Sequence, residues 1–84
     1  MTNYTFTLIN LEELVNHPVL GSKLYNIEYS ASNDIHGNLS WGIIEVVVNE
    51  HGIFPNVEQL NENVNTVIRN DFLIKIKEYV KGLE

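Results

Sequence analysis

The chain has 84 residues, a formal net charge of −6 and no cysteine, and 44% of it is hydrophobic. That length is one domain, residues 1–84, with a small core, since such a domain buries only about 60–65% of the surface its unfolded chain exposes. Five Lys and Arg against eleven Asp and Glu leave no basic patch for a run of phosphates, which excludes direct nucleic-acid binding as an expectation, and without cysteine there is no disulfide framework and no Cys-ligated zinc.

Tyr4-Thr5-Phe6-Thr7-Leu8-Ile9 alternates apolar residues with Thr. That period predicts a strand with Tyr4, Phe6 and Leu8 facing the core. Asn10 reads as a helix N-cap with Glu13 three residues on, as a capping box requires. Leu11, Leu14 and Val15 would share one face of the short helix that follows. Glu12 and Glu13 then complement its N-terminal dipole, and Pro18 ends it at His17.

The next strand runs over 24–32, with Tyr25, Ile27, Tyr29 and Ala31 on one face and Asn26, Glu28, Ser30 and Ser32 on the other. A loop of Asp34, Ile35, His36 and Gly37 leads into a long strand over 39–49 that is apolar on both sides, as central strands are. Pairing Tyr29 with Gly42, Ile27 with Ile44 and Tyr25 with Val46 sets apolar against apolar, whereas a one-residue slip places Ile27 opposite Glu45. In the favoured register Trp41, Ile43 and Val47 share a face with Ser30, Glu28 and Asn26, so an apolar stripe lies on a face the neighbouring strand treats as wet. Gly42 gives Tyr29 or a helix room to approach the sheet.

Gly52 and Pro55 break the chain, and Asn56 is a second N-cap, with Gln59 three residues later. Val57, Leu60, Val64, Val67, Ile68, Phe72, Ile76, Tyr79, Val80 and Leu83 follow at helical spacing, with Glu58 and Glu62 early and Lys75, Lys77 and Lys81 late. An unbroken helix over 57–83 would run about 40 Å, against a radius of gyration of about 12 Å for such a domain. A break near Arg69-Asn70-Asp71 is therefore expected. Asn61, Asn63 and Asn65 form a polar helical face.

The order strand–helix–strand–strand–helix implies an α+β two-layer sandwich. With the most apolar strand central and a right-handed crossover over residues 10–23, the three-stranded sheet has the order 2-3-1 and both helices cover one face.

Little chemistry can be assembled. His36 and His51 fall at opposite ends of the third strand, about 40 Å apart at about 3.4 Å per residue, so no metal site is expected. Ser22, Ser30, Ser32 and Ser40 lack a nucleophile-elbow context, and the isolated glycines make no phosphate loop. No cofactor is implied. The longest apolar run, over 43–48 and interrupted by Glu45, is far short of the about 20 residues of a membrane span. The N-terminus has no signal-peptide pattern, and a cytoplasmic location is the expectation.

The Trp41, Ile43 and Val47 stripe, with Glu28 beside it, reads either as a core face covered by the C-terminal segment or as a protein interface, since exposed apolar patches rimmed by polar residues mark partners. Glu12, Glu13, Glu50, Glu58 and Glu62 would steer the chain toward a basic protein surface. The expected function is that of a small acidic, non-catalytic protein-binding module, such as an inhibitor encoded by a phage or mobile element. That general character equally suits an immunity protein or an antitoxin. The alternatives are an assembly subunit forming two-fold dimers through the sheet face, and an enzyme whose site is shared between subunits.

Overall fold

The structure, a computed structural model, describes residues 2–35, 37–56, 58–60 and 68–83. The expectations for His36, for Glu62, and for Val57, Asn61, Asn63, Val64, Asn65 and Val67 fall outside the described residues.

Four antiparallel strands follow one another in a meander: β1 (Thr2–Glu13), β2 (Lys23–Asn33), β3 (Gly37–Asn49) and β4 (Gly52–Pro55), in the spatial order β1-β2-β3-β4. One helix, α1 (Arg69–Leu83), closes the chain, and residues 58–60 are helical as well. The architecture is α+β, but the three-stranded sheet of order 2-3-1 is not what forms. β1 pairs with β2, not with β3, so there is no crossover.

The cause lies at Ile9. Leu8 pairs with Ile27 and Asn10 with Asn26, so Ile9 is an extra residue in a β-bulge. Beyond it β1 continues, with Leu11 opposite Tyr25 and Glu12 opposite Leu24. Leu8 and Leu11 therefore both lie on the Tyr25–Ile27 face although three residues separate them. The bulge converts a period of two into a spacing of three, which imitates a helix. The helix expected from Asn10 does not form. Asn10 donates from Nδ2 to Glu12 Oε1 at 3.3 Å, and Glu12 and Glu13 lie on a strand instead of beside a helix dipole.

The β2–β3 register is the expected one, with Tyr25 opposite Val46, Ile27 opposite Ile44 and Tyr29 opposite Gly42. A Cβ on Gly42 would lie 3.3 Å from Tyr29 Oη, which accounts for the glycine. The turn after Asn49 uses Gly52 at φ +140°, and β4 then pairs Ile53 with Val48, Phe54 with Val47 and Pro55 with Val46. A proline suits this short edge strand.

The core lies on one face of the sheet. Tyr25, Ile27, Tyr29 and Ala31 of β2 and Ile44, Val46 and Val48 of β3 meet Leu60, Ile68, Phe72, Ile76 and Val80. Phe72, Ile76 and Val80 recur every four residues, so α1 lays one stripe on the sheet. Asp71 in its first turn and Lys81 in its last agree with the helix dipole. The expected break is real in position, since α1 begins at Arg69. Residues 72–77, which alternate like a strand, are helical.

Side chains also finish the sheet edges. The β1 backbone N–H of Leu8 donates to Tyr79 Oη at 3.0 Å, so α1 occupies a donor that would otherwise invite another strand. Tyr4 donates its hydroxyl to Asp71 at 2.8 Å. Burial first, then this hydrogen bond and the adjacent carboxylate charge, raise the Tyr4 phenol well above its ordinary range. Asn56 does cap the turn at 58–60, accepting the Gln59 N–H at 3.1 Å. Gln59 does not reach back to it. Its Oε1 accepts the Glu45 N–H at 2.7 Å and its Nε2 donates to Glu45 Oε1 at 3.0 Å, extending the β3 ladder past the end of β4.

Candidate functional site

Directly opposed residues share a face, so the pairing lists the outer face of the sheet row by row. Thr5, Ser30 and Trp41 form one row, and Thr7, Glu28 and Ile43 the next. Asn10, Asn26 and Glu45 follow, then Glu12, Leu24, Val47 and Phe54. Trp41 is 72% exposed, Ile43 51% and Phe54 48%, while Leu24 and Val47 are half-buried. α1 packs on the opposite face, and no element among the described residues covers this one.

The stripe of Trp41, Ile43 and Val47 is thus brought together as expected, with Glu28 beside it. It is divided by the polar row that ends in Glu45. Two residues extend it that the sequence reading missed. Phe54 joins Val47 through the β4 pairing, and its signal was the apolar pair Ile53-Phe54 just after a glycine turn. Leu24 fills the space between Val47 and Glu12.

Among the described residues the steering carboxylates Glu12, Glu13, Glu50 and Glu58 do not assemble into one surface. Glu12 lies on the outer face. Glu13 pairs with Lys23 at the end of the sheet, Glu50 stands in the β3–β4 turn, and Glu58 is exposed at the start of the 58–60 turn. Glu50 lies 3.7 Å from His51 Nε2, a solvated contact of little energetic weight.

Cations are segregated more sharply. The chain's only Lys and Arg are Lys23, Arg69, Lys75, Lys77 and Lys81. Lys23 alternates with Tyr25 and Ile27 on the core face of β2, and the other four belong to α1. The outer face therefore carries Glu12, Glu28 and Glu45 with no cation among them.

A serine–histidine contact sits in the β1–β2 connection. Ser22 is buried; its hydroxyl donates to the Val19 carbonyl at 2.8 Å, accepts from Asn49 Nδ2 at 3.2 Å, and lies 3.0 Å from His17 Nδ1. His17 Nδ1 already accepts the Val19 N–H at 3.1 Å, which places the ring proton on Nε2. The Ser22 proton is committed to a carbonyl, so this arrangement locks a turn and does not activate a nucleophile. Replacing Ser22 by alanine leaves the Val19 carbonyl and the Asn49 amide short of a partner, an expected loss of about 1–3 kcal/mol in urea unfolding.

Above this turn, an open depression of about 530 Å³ is lined by Leu20, Gly21, Lys23, Val48, Asn49, Glu50, His51, Gly52 and Ile53. Among the described residues, no three His, Cys, Asp or Glu side chains gather as metal ligands. No described helix is long and apolar enough to cross a membrane. On the outer face a smaller groove of about 160 Å³ is lined by Thr5, Thr7, Glu28, Tyr29, Ser30 and Trp41. No family model, curated protein or solved structure matches the chain.

Proposed function

We propose that the chain is a non-catalytic module that binds another protein through the outer face of its sheet and acts by occupying that partner. The observation that carries this reading is the exposure of Trp41, Ile43 and Phe54 on a face opposite the helix. Large apolar side chains clustered on a folded surface and rimmed by polar groups favour association, and tryptophan dominates many interface centres. Here the rim is Thr5, Thr7, Ser30, Asn10 and Asn26.

Affinity capture from a host lysate tests the proposal when wild type and Ile43→Glu are run side by side. The wild type retains a stoichiometric protein. The variant, folded by circular dichroism, loses it by about thirtyfold or more in affinity, as expected for an interface centre. Equal retention by both chains, or no retained protein under any condition, overturns the proposal.

A further inference from the structure

We propose that the groove between Glu28 and Trp41 receives an arginine side chain from the protein partner. The inference rests on the protein-binding reading above and assigns the chemistry of the contact. Three observations converge on it.

The first is the composition of the groove. Glu28 and Trp41 line it together with Thr5, Thr7, Tyr29 and Ser30. Thr5, Ser30 and Trp41 form one cross-strand row, and Glu28 stands one row away on the same face. A carboxylate, an exposed indole and hydroxyl acceptors are what a guanidinium group uses. It pairs with the carboxylate through its planar fork, stacks on the ring, and gives its remaining N–H groups to hydroxyl oxygens. A lysine ammonium matches the carboxylate but lacks the plane that stacks. A neutral apolar side chain would desolvate Glu28 without compensation.

The second is the charge of the face. Among the described residues Glu12, Glu28 and Glu45 are its only charged residues, and every Lys and Arg of the chain lies elsewhere. The Glu45 carboxylate is already engaged by Gln59 Nε2. Among the described residues Glu28 has no cationic neighbour and remains exposed. A positive partner completes the face electrostatically.

The third is what the same charges do to a second copy. A two-fold dimer through this face would set the face carrying Glu12, Glu28 and Glu45 of one copy against the same acidic face of the other. The chain's single arginine, Arg69, is half-buried at the start of α1 on the far side of the sheet. Self-association through the outer face therefore supplies neither a guanidinium nor charge balance.

Ile43 adjoins Glu28 directly across the β2–β3 pair, so an arginine flanked by an apolar residue gains a second contact. The test uses defined probes and does not wait for the partner to be identified. Acetyl-arginine amide, acetyl-citrulline amide and the peptide acetyl-Leu-Arg-Leu amide are titrated into uniformly labelled protein, and amide and indole shifts are followed by NMR. The arginine probes give saturable shifts at Trp41, Glu28, Thr5 and Thr7, and the peptide binds more tightly than the blocked amino acid. Citrulline, which keeps the shape and loses the charge, gives none. Glu28→Gln and Trp41→Ala each weaken the arginine probe about twofold to fivefold, matching the loss of one exposed ion pair or one cation–π contact. Equal shifts with citrulline, unchanged affinity in Glu28→Gln, or shifts that map to Glu13 and Glu50 overturn the arginine assignment. Capture that fails with Ile43→Glu yet is unchanged by Glu28→Gln overturns it too, while leaving the protein-binding reading in place. A wild type that dimerises in sedimentation equilibrium, with the dimer lost on Ile43→Glu, replaces the partner by a second copy.

Discussion

Replacing Phe72 by alanine is expected to destabilise the fold by about 3–5 kcal/mol, the range for removing a fully buried aromatic ring. Phe72 is 0% exposed and is the hub of the aromatic cluster. Its ring lies edge-on to Tyr29 at 4.8 Å, to Phe6 at 5.7 Å and to Tyr4 at 6.0 Å between centroids. These contacts tie α1 to β1 and β2 at once, so no single neighbour can move into the void without leaving another. Domains have about 0.05–0.15 kcal/mol of stability per residue, so the loss takes a large part of the total in a chain of 84 residues. Urea unfolding followed by circular dichroism should show a midpoint far below wild type, with a substantial unfolded fraction in water. Ile74→Ala, two residues on and so on the other side of α1, is 56% exposed and should change stability by less than about 0.5 kcal/mol. A Phe72→Ala chain as stable as wild type would mean that α1 does not pack as described.

How much of this could be read from the residues varied with the length over which a pattern persisted. β2 alternates over 24–32, and although β3 is apolar on both sides a slip would have set its Glu45 opposite Ile27, so their register was legible in the pattern itself. The end of β1 was hidden because one extra residue, Ile9, broke the alternation after Leu8, and Leu11, Leu14 and Val15 beyond it have helical spacing. The error then spread. A helix in that position called for a crossover, the crossover called for β1 beside β3, and β4 was left without a place. β4 itself is only Gly52–Pro55, and its glycine and proline read as a break. The site inherited the same division. Trp41, Ile43 and Glu28 came from the legible hairpin, while Phe54 depended on the β4 pairing. Gln59 was read as half of a capping box because its local spacing fits one. Its partner proved to be Glu45, a contact that exists only once β3 and the 58–60 turn are folded together.

Ile43 and Ile44 provide the sharpest test of the outer face, because they are adjacent in β3 and differ almost only in the side of the sheet they occupy. Ile44 is 1% exposed and packs in the core across from Ile27; Ile43 is 51% exposed across from Glu28. A glutamate at 44 would carry a carboxylate into a space lined by Tyr25, Ile27, Ile76 and their neighbours, and the site offers it no cation. The loss of the buried apolar side chain and the desolvation of the acid act together, so the expected destabilisation is about 4 kcal/mol or more, enough to unfold much of the chain at neutral pH. Part of that loss should be recovered near pH 4–5, where the carboxyl of the unfolded chain takes up its proton and the acid can be buried neutral. A glutamate at 43 stays in water. It should cost at most about 1 kcal/mol of stability, with no recovery in acid, since a strand position facing solvent tolerates a polar residue. The two variants together decide the nature of the stripe. If Ile43→Glu keeps its circular dichroism spectrum and urea midpoint while Ile44→Glu collapses, the Trp41–Ile43 surface is free for contact, and any binding lost in Ile43→Glu belongs to the interface itself. If both chains unfold, something packs over both sides of β3, Trp41 is core, and the partner surface has to be sought elsewhere, first at the depression lined by Lys23, Asn49 and His51.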